Sequence, residues 1–364
     1  MRRRILPLPP MADSRMHTTS STTQPAAIAF PHEAWPGPGE AVAVASGVYW
    51  LRMPLPFVLN HINLWLLADG DGWTIVDSGV DTAQIRDLWQ QLHAAAMGGR
   101  PVRRLIVTHF HPDHFGLAAW LVEHFGCELW MTAPEFHMAE HAIADDSFDT
   151  DGSRLAFFRH HGLRGERLKA LQSWGGTYRR AISGLPVGFS PLQDGAVLAI
   201  GGRDWRVITG QGHSPDHATL HCPELDLLIS GDHILPAITP HIGVWHFEPD
   251  ADPIRLYLAS LERFAGLPAT TLVLPAHGLP FTGLQPRLEA LARHHAERFE
   301  LLLSSCAEPR TAADVLASMF RRRLNPHQLY FAMSEAIAHL NYLLCGGQLV
   351  RERDQGGTLR FHRP

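Results

Sequence analysis

From Ala43 onward the chain reads as short apolar runs cut by turn residues. Ala43–Ala45, Gly47–Arg52, Asn63–Ala68 and Trp73–Val76 each have the length and β-branched or aromatic content of a strand. Asp69-Gly70-Asp71-Gly72 between the last two predicts a hairpin. The period then changes. Over residues 82–97, Ile85, Leu88, Trp89 and Leu92 recur at helical spacing. Arg103–Val107 returns to a buried strand, Leu117–Val122 to a helix, and Cys127–Met131 to a strand.

Residues 134–190 break the strand rhythm and read as a long helical insert carrying Phe157, Phe158, Trp174 and Tyr178. It is expected to act as a cap over a site, with these aromatics selecting a ligand. Packing of the same aromatics against the body is the competing reading. Two strands follow, Ala196–Ile200 and Trp205–Ile208. Apolar runs at Leu225–Ile229 and Thr271–Leu274 end on Asp232 and His277.

Beyond residue 286 the pattern is helical again. Leu288, Leu291, Phe299, Leu302 and Leu303 predict a long helix. Thr311 with Asp314 three residues on predicts a capped second helix, and Asn325-Pro326 the start of a third, which stops at Gly346-Gly347. Gln348–Arg353 and Thr358–Phe361 flank a turn and predict a hairpin. Three segments result: an extension over 1–40, rich in Pro, Ser and Thr and poorly ordered or loosely docked; a main domain over 41–285; and a C-terminal domain over 286–364.

Composition changes this picture little. The 364 residues are 45% hydrophobic and 18% charged, as expected of a globular protein with a sizeable core. A net charge of −5 supplies no global basic field for nucleic acid. Arg321-Arg322-Arg323 is a short exception. The four cysteines have no paired spacing, which predicts reduced thiols and a cytoplasmic protein. No apolar run reaches membrane-spanning length, and no apolar region follows Arg2-Arg3-Arg4 as a signal peptide requires.

The chemistry concentrates in Thr108-His109-Phe110-His111-Pro112-Asp113-His114, directly after the strand that ends at Val107. Four potential ligands fall within six residues. No regular element turns all four toward one point, so an irregular loop must carry them. His109 and His111 address one point, Asp113 and His114 a second. Imidazoles and a carboxylate suit a borderline cation such as zinc.

This His-x-His-x-Asp-His pattern resembles the signature of the metallo-β-lactamase superfamily. The resemblance implies an α+β fold, an αββα sandwich, here with a helical insert and a small winged-helix-like C-terminal domain. It also implies the remaining ligands: His213 in Gly212-His213-Ser214, Asp232 as a bridging carboxylate, and His277 before Gly278. Asp77 would orient a ligand, with a turn or N-cap role as the alternative. Asp216 stands where many relatives have glycine, and His217 reads as a structural neighbour. The implied cofactor is two Zn2+ per chain, with Fe and Mn left open. The implied chemistry is attack by a metal-bridging hydroxide, with Asp113 and Asp232 orienting it or taking its proton. His111 occupies a position that the di-iron redox branch usually gives to glutamate, which favours a hydrolase. The C-terminal region is similar to that of a lactamase-like branch containing thioesterases and endoribonucleases.

Two enzymatic readings compete. The first is hydrolysis of a small ester, thioester or lactone. The second is metal-dependent RNA cleavage, disfavoured by the acidic balance because phosphate contacts supply most such affinity. A binding protein with vestigial metals sits badly with a full ligand set. The expected partners are a small-molecule substrate and no membrane, with a homodimer left open.

Overall fold

A computed structural model describes residues 28–56, 59–145, 152–172, 177–321 and 323–364. Trp174 and Arg322 lie outside these residues, as does most of the predicted 1–40 extension. Of that extension, Ala29 pairs with Thr282 through two backbone hydrogen bonds of 3.1 and 2.9 Å.

Two sheets face each other. The first holds β1 (Val42–Ala45), β2 (Val48–Pro54), β3 (His61–Asp69), β4 (Gly72–Val76), β5 (Val102–Ile106), β6 (Glu128–Thr132) and β7 (Ser190–Leu192), in that order across the sheet. It is antiparallel through β4 and parallel from β4 to β7. Parallel neighbours need crossovers, supplied by α1 (Ala83–Ala94) and then by α2 (Pro112–Phe115) with α3 (Ala118–Phe125). The second sheet holds β8 (Val197–Ile200), β9 (Arg203–Gly210), β10 (His217–Cys222), β11 (Leu227–Gly231) and β12 (Leu272–Pro275), with β12 parallel to β11.

The alternation along β3 shows why the layers form. Trp65 and Leu67 point inward, with Trp50, Val76 and Ile106, against Trp205, Val207, Leu220 and Ile229 of the second sheet. Leu64 and Leu66 point outward, with Ile75 and Leu105, under Ile85, Leu88, Trp89 and Leu92 of α1. A strand buried on both faces therefore reads as a continuous apolar run. The outer face of the second sheet is covered by helices, completing an αββα sandwich.

Those helices are α8 (Pro253–Leu261), α9 (Leu284–Ser305), α10 (Ala312–Met319) and α11 (Pro326–Cys345), followed by the hairpin β13 (Val350–Arg353) and β14 (Leu359–His362). Thr311 and Asp314 form a capping box, as do Asn325 and Gln328 with Pro326 at the first helical position. β7, β10 and α8 were not legible in the pattern. No helix among the described residues is long and apolar enough to cross a membrane.

The insert contains α4 (Ala133–Asp145), α5 (Ser153–His160), α6 (Gly165–Gln172) and α7 (Thr177–Arg180). Of the two readings, cap and packing, α5 follows the second. Phe157 and Phe158 of α5 are buried with Val315, Leu316, Ile337 and Leu340 in one core shared with the C-terminal helices. The contact is close. A Cβ on Gly162 would stand 2.4 Å from Thr311 Cβ, and Ala313 N–H donates to the His161 carbonyl at 3.1 Å. Phe157 and Phe158 are thus structural, which corrects the expectation that they select a ligand.

Within this core, His295 on α9 and His339 on α11 lie 3.1 Å apart through Nδ1 and Nε2. Burial pushes His295 from 6.5 to about 2 and His339 to about 3. The unfolded chain therefore takes up more protons than the fold below pH 6.5, and stability from these groups is lost as pH falls through that value. Each should contribute a loss of about 2 kcal/mol by about pH 5. Urea unfolding of the wild type and of a His295→Gln, His339→Gln variant tests this. The wild type should weaken more on acidification, and equal pH dependence would contradict the assignment.

Candidate metal centre

Five strand ends converge on one point between the sheets. β4 ends at Asp77, β5 at the loop carrying His109 to His114, β9 at the loop carrying His213, β11 at Asp232 and β12 at His277. Such ends are where α/β sheets place ligands. Asp77 adopts φ +62°, a conformation rare for a non-glycine residue. Its carboxylate accepts hydrogen bonds from Thr108 N at 2.8 Å and from His114 Nδ1 at 2.8 Å. The second bond fixes the orientation of the His114 ring.

All seven predicted ligands come together, in two groups. His109, His111, His213 and Asp232 form one, and Asp113, His114 and His277 the other, with the ligand atoms of each group within 4.8 Å of one another. His109 Nε2 lies 2.9 Å from His111 Nδ1 and 3.2 Å from His213 Nε2. Asp232 joins the groups. Its Oδ2 is 3.5 Å from His213 Nε2, and its Oδ1 is 3.5 Å from His114 Nε2 and 3.3 Å from His277 Nε2. Ligands bonded tetrahedrally to one zinc ion stand about 3.3 Å apart, so these spacings fit an ion in each group. Two buried atoms sharpen the fit: His114 Nε2 and Asp232 Oδ1 have no hydrogen-bond partner.

The far nitrogens of the rings are also held. His213 Nδ1 donates to the His241 carbonyl at 2.7 Å, and His277 Nδ1 to the His61 carbonyl at 2.8 Å. Each bond keeps a proton on Nδ1, so Nε2 is the nitrogen turned toward the cluster. His217 is the structural neighbour expected: its Nε2 accepts from Asp232 N at 3.1 Å and its ring stacks on His109. Asp216 keeps out of the positive-φ region, so the departure from glycine does not distort the loop.

Sequence reasoning missed Glu135. This buried carboxylate, pushed up to about 7 by burial, accepts from Phe110 N at 3.0 Å, Ser214 Oγ at 2.5 Å and Asp216 N at 2.7 Å. It ties the His109 loop to the His213 loop. A lone glutamate opening a helix carries no motif that would announce this.

A cavity of about 1190 Å³ opens on His111, Asp113 and His213. Its walls come from Met138, His141 and Tyr178 of the insert, Val244, Trp245 and Phe247 of the loop before α8, and Tyr330, Phe331 and Glu335 of α11. Tyr178 is on the cavity, but its hydroxyl donates to the Phe110 carbonyl at 2.6 Å and so braces the histidine loop.

The pattern of the Metallo-beta-lactamase superfamily matches residues 58–277, more than half the chain. The chain belongs to the metallo-β-lactamase superfamily. A second pattern, the metallo-beta-lactamase-like C-terminal domain, matches residues 299–364. A beta-lactamase domain protein from Burkholderia ambifaria is 42% identical with a TM-score of 0.87, covering 93% of this chain and 98% of its own. A metallo-beta-lactamase family protein from Thermus thermophilus is 30% identical with a TM-score of 0.75, covering 88% of this chain and 100% of its own. The "Probable metallo-hydrolase YqjP" of Bacillus subtilis is 27% identical over 85% of this chain and 96% of its own length. The superfamily and the His/Asp clusters together make this protein a metallo-hydrolase.

The protonation of the ligands has a measurable consequence. Burial and the neighbouring imidazoles hold His109 well below its ordinary value, ready to coordinate. Burial also pulls on His114 and His277, but the carboxylates override it. Asp77, Asp113 and Asp232 raise His114 well above its ordinary value, and Asp232 and Asp113 raise His277 to about 10. Both rings therefore carry protons near neutrality that a metal must displace. Zinc binding should release one to about two protons per chain and weaken as pH falls. Calorimetry in buffers of different ionisation enthalpy measures this, and a buffer-independent enthalpy would contradict it.

Proposed function

We propose that this metallo-hydrolase cleaves a small, largely apolar ester, thioester or lactone, with two zinc ions held by the seven ligands. One would sit among His109, His111, His213 and Asp232, the other among Asp113, His114, His277 and Asp232. A zinc pair lowers the pKa of a shared water toward about 7 and polarises a carbonyl. The same donors suit iron and manganese, and His111 rather than glutamate is what favours zinc.

The observation that carries the reading is the cavity. It reaches the ligand cluster through walls made mostly of aromatic and aliphatic side chains, the lining expected for a small organic substrate. The described part of the insert contributes to these walls and so shields the site from one side. Cleavage of RNA would call for a basic track, whereas the charged lining here is mixed, with Asp81, Glu248 and Glu335 beside Arg154 and Arg180.

The chain's own groups divide the work. Asp77 and the carbonyls of His241 and His61 keep protons on the Nδ1 atoms of His114, His213 and His277. Phe110 and the aromatics of α11 place the acyl group and exclude water. Asp113 lines the cavity with Oδ2 directed at His277 Nε2, 3.3 Å away, which leaves Oδ1 to accept the proton of the attacking water. Asp232 aligns both halves. Four free thiols, three of them buried, support a cytoplasmic setting.

Asp232→Ala should reduce turnover of every substrate at least about a thousandfold, roughly 4 kcal/mol of barrier. Phe331→Ala and Trp245→Ala should instead raise KM and change acyl preference with metal content intact. A panel of esters, thioesters, lactones and RNA against the zinc-loaded protein provides the test. RNA cleavage without ester turnover would refute the reading.

A further inference from the structure

One polar group on the cavity wall has no part in the hydrolytic scheme. His327, Phe331 and Glu335 of α11 lie at intervals of four residues, so they form a single stripe about 12 Å long. The stripe ends on a carboxyl group. The cavity lining also includes the apolar Val244, Ala251 and Phe331.

The Glu335 side chain accepts no hydrogen bond from any described residue, although its backbone carbonyl accepts from His339 Nδ1 at 2.8 Å. The charge that acts on it is Arg298, whose guanidinium donates to the Met319 carbonyl and lies 5.4 Å over the Phe320 ring. No ligand of the metal centre acts on it. An acid placed in apolar surroundings without donors lowers stability. Leucine at this position would remove that cost and keep the helix. A donor that arrives with the ligand would offset that cost at the cavity wall.

Resting on the hydrolase reading above, we propose that Glu335 receives a hydrogen-bond donor, a hydroxyl or an amine, carried on the substrate's chain away from the scissile carbonyl. The substrate class is then a hydroxy- or amino-acyl ester or thioester, with its apolar middle against Phe331 and Val244. Burial pushes Glu335 up to about 7, so ionised and neutral forms coexist near neutrality. Both keep acceptor lone pairs, so either form accepts from the donor. An amine pairs best with the ionised form, and a hydroxyl serves both.

The test is calorimetric binding of octanoate, ω-hydroxyoctanoate and ω-aminooctanoate to the zinc-loaded protein, beside turnover of their thioesters. The wild type should bind at least one of the two donor-bearing chains about tenfold or more tightly than octanoate, and which one is favoured identifies the donor. Glu335→Leu should abolish the preference while octanoate binds as well as before or better. Glu335→Gln, which preserves shape, should lose the amine preference and keep part of a hydroxyl preference. Equal wild-type affinity for all three, no binding of any, or a preference that survives Glu335→Leu would overturn the proposal. Thioester turnover without a tail preference would overturn Glu335 alone. A tail preference in binding without turnover of any ester or thioester would overturn the hydrolytic reading and leave Glu335 standing.

Discussion

The structure depends on one carboxylate serving two clusters at once. Asp232 is buried, and its two oxygens face opposite ways, Oδ2 toward His213 and Oδ1 toward His114 and His277. A buried charge in such a place must be matched by cations or metals. The match requires the two sheets to meet in register, because His114 comes from the first sheet while His213, Asp232 and His277 come from the second. The inter-sheet core of Trp50, Trp65 and Trp205 sets that distance. Gly231 lets the strand end approach: it has φ +51°, and a Cβ there would stand 2.6 Å from the His217 ring.

The same constraint reaches the C-terminal domain. His241 accepts the His213 proton through its carbonyl, while its ring Nε2 lies 3.1 Å from both the Phe331 carbonyl and Ser334 Oγ on α11. Val244 N–H adds a 3.1 Å bond to the Ser334 carbonyl. His213 of the candidate metal cluster is therefore braced, through one loop, by the helix that also walls the cavity. Positioning of the histidine cluster and shaping of the pocket are two faces of one packing arrangement.

The clustering of the seven residues was legible because they follow apolar strand runs in the superfamily's order. The capped starts of α10 and α11 were legible because N-capping is local, with Thr311 and Asn325 each bonding within three residues. What could not be read is long-range. Nothing near Glu135 in sequence shows that its carboxylate receives Ser214 and Asp216, about eighty residues away. The choice between lid and packing for Phe157 and Phe158 stayed open because their partners, Leu316 and Ile337, are too distant in sequence to count. α8 and the loop before it had no strong period, yet that loop supplies Val244, Trp245 and Phe247 to the pocket. A pocket assembled from segments so far apart in the chain leaves no contiguous pattern.

The most direct measurement is diffraction from crystals of the zinc-loaded protein at the zinc absorption edge. The account predicts two anomalous peaks per chain about 3.5–4 Å apart, with one oxygen of Asp232 directed at each. A single peak, with Asp113 and His277 turned away from it, would contradict a centre organised around a shared carboxylate.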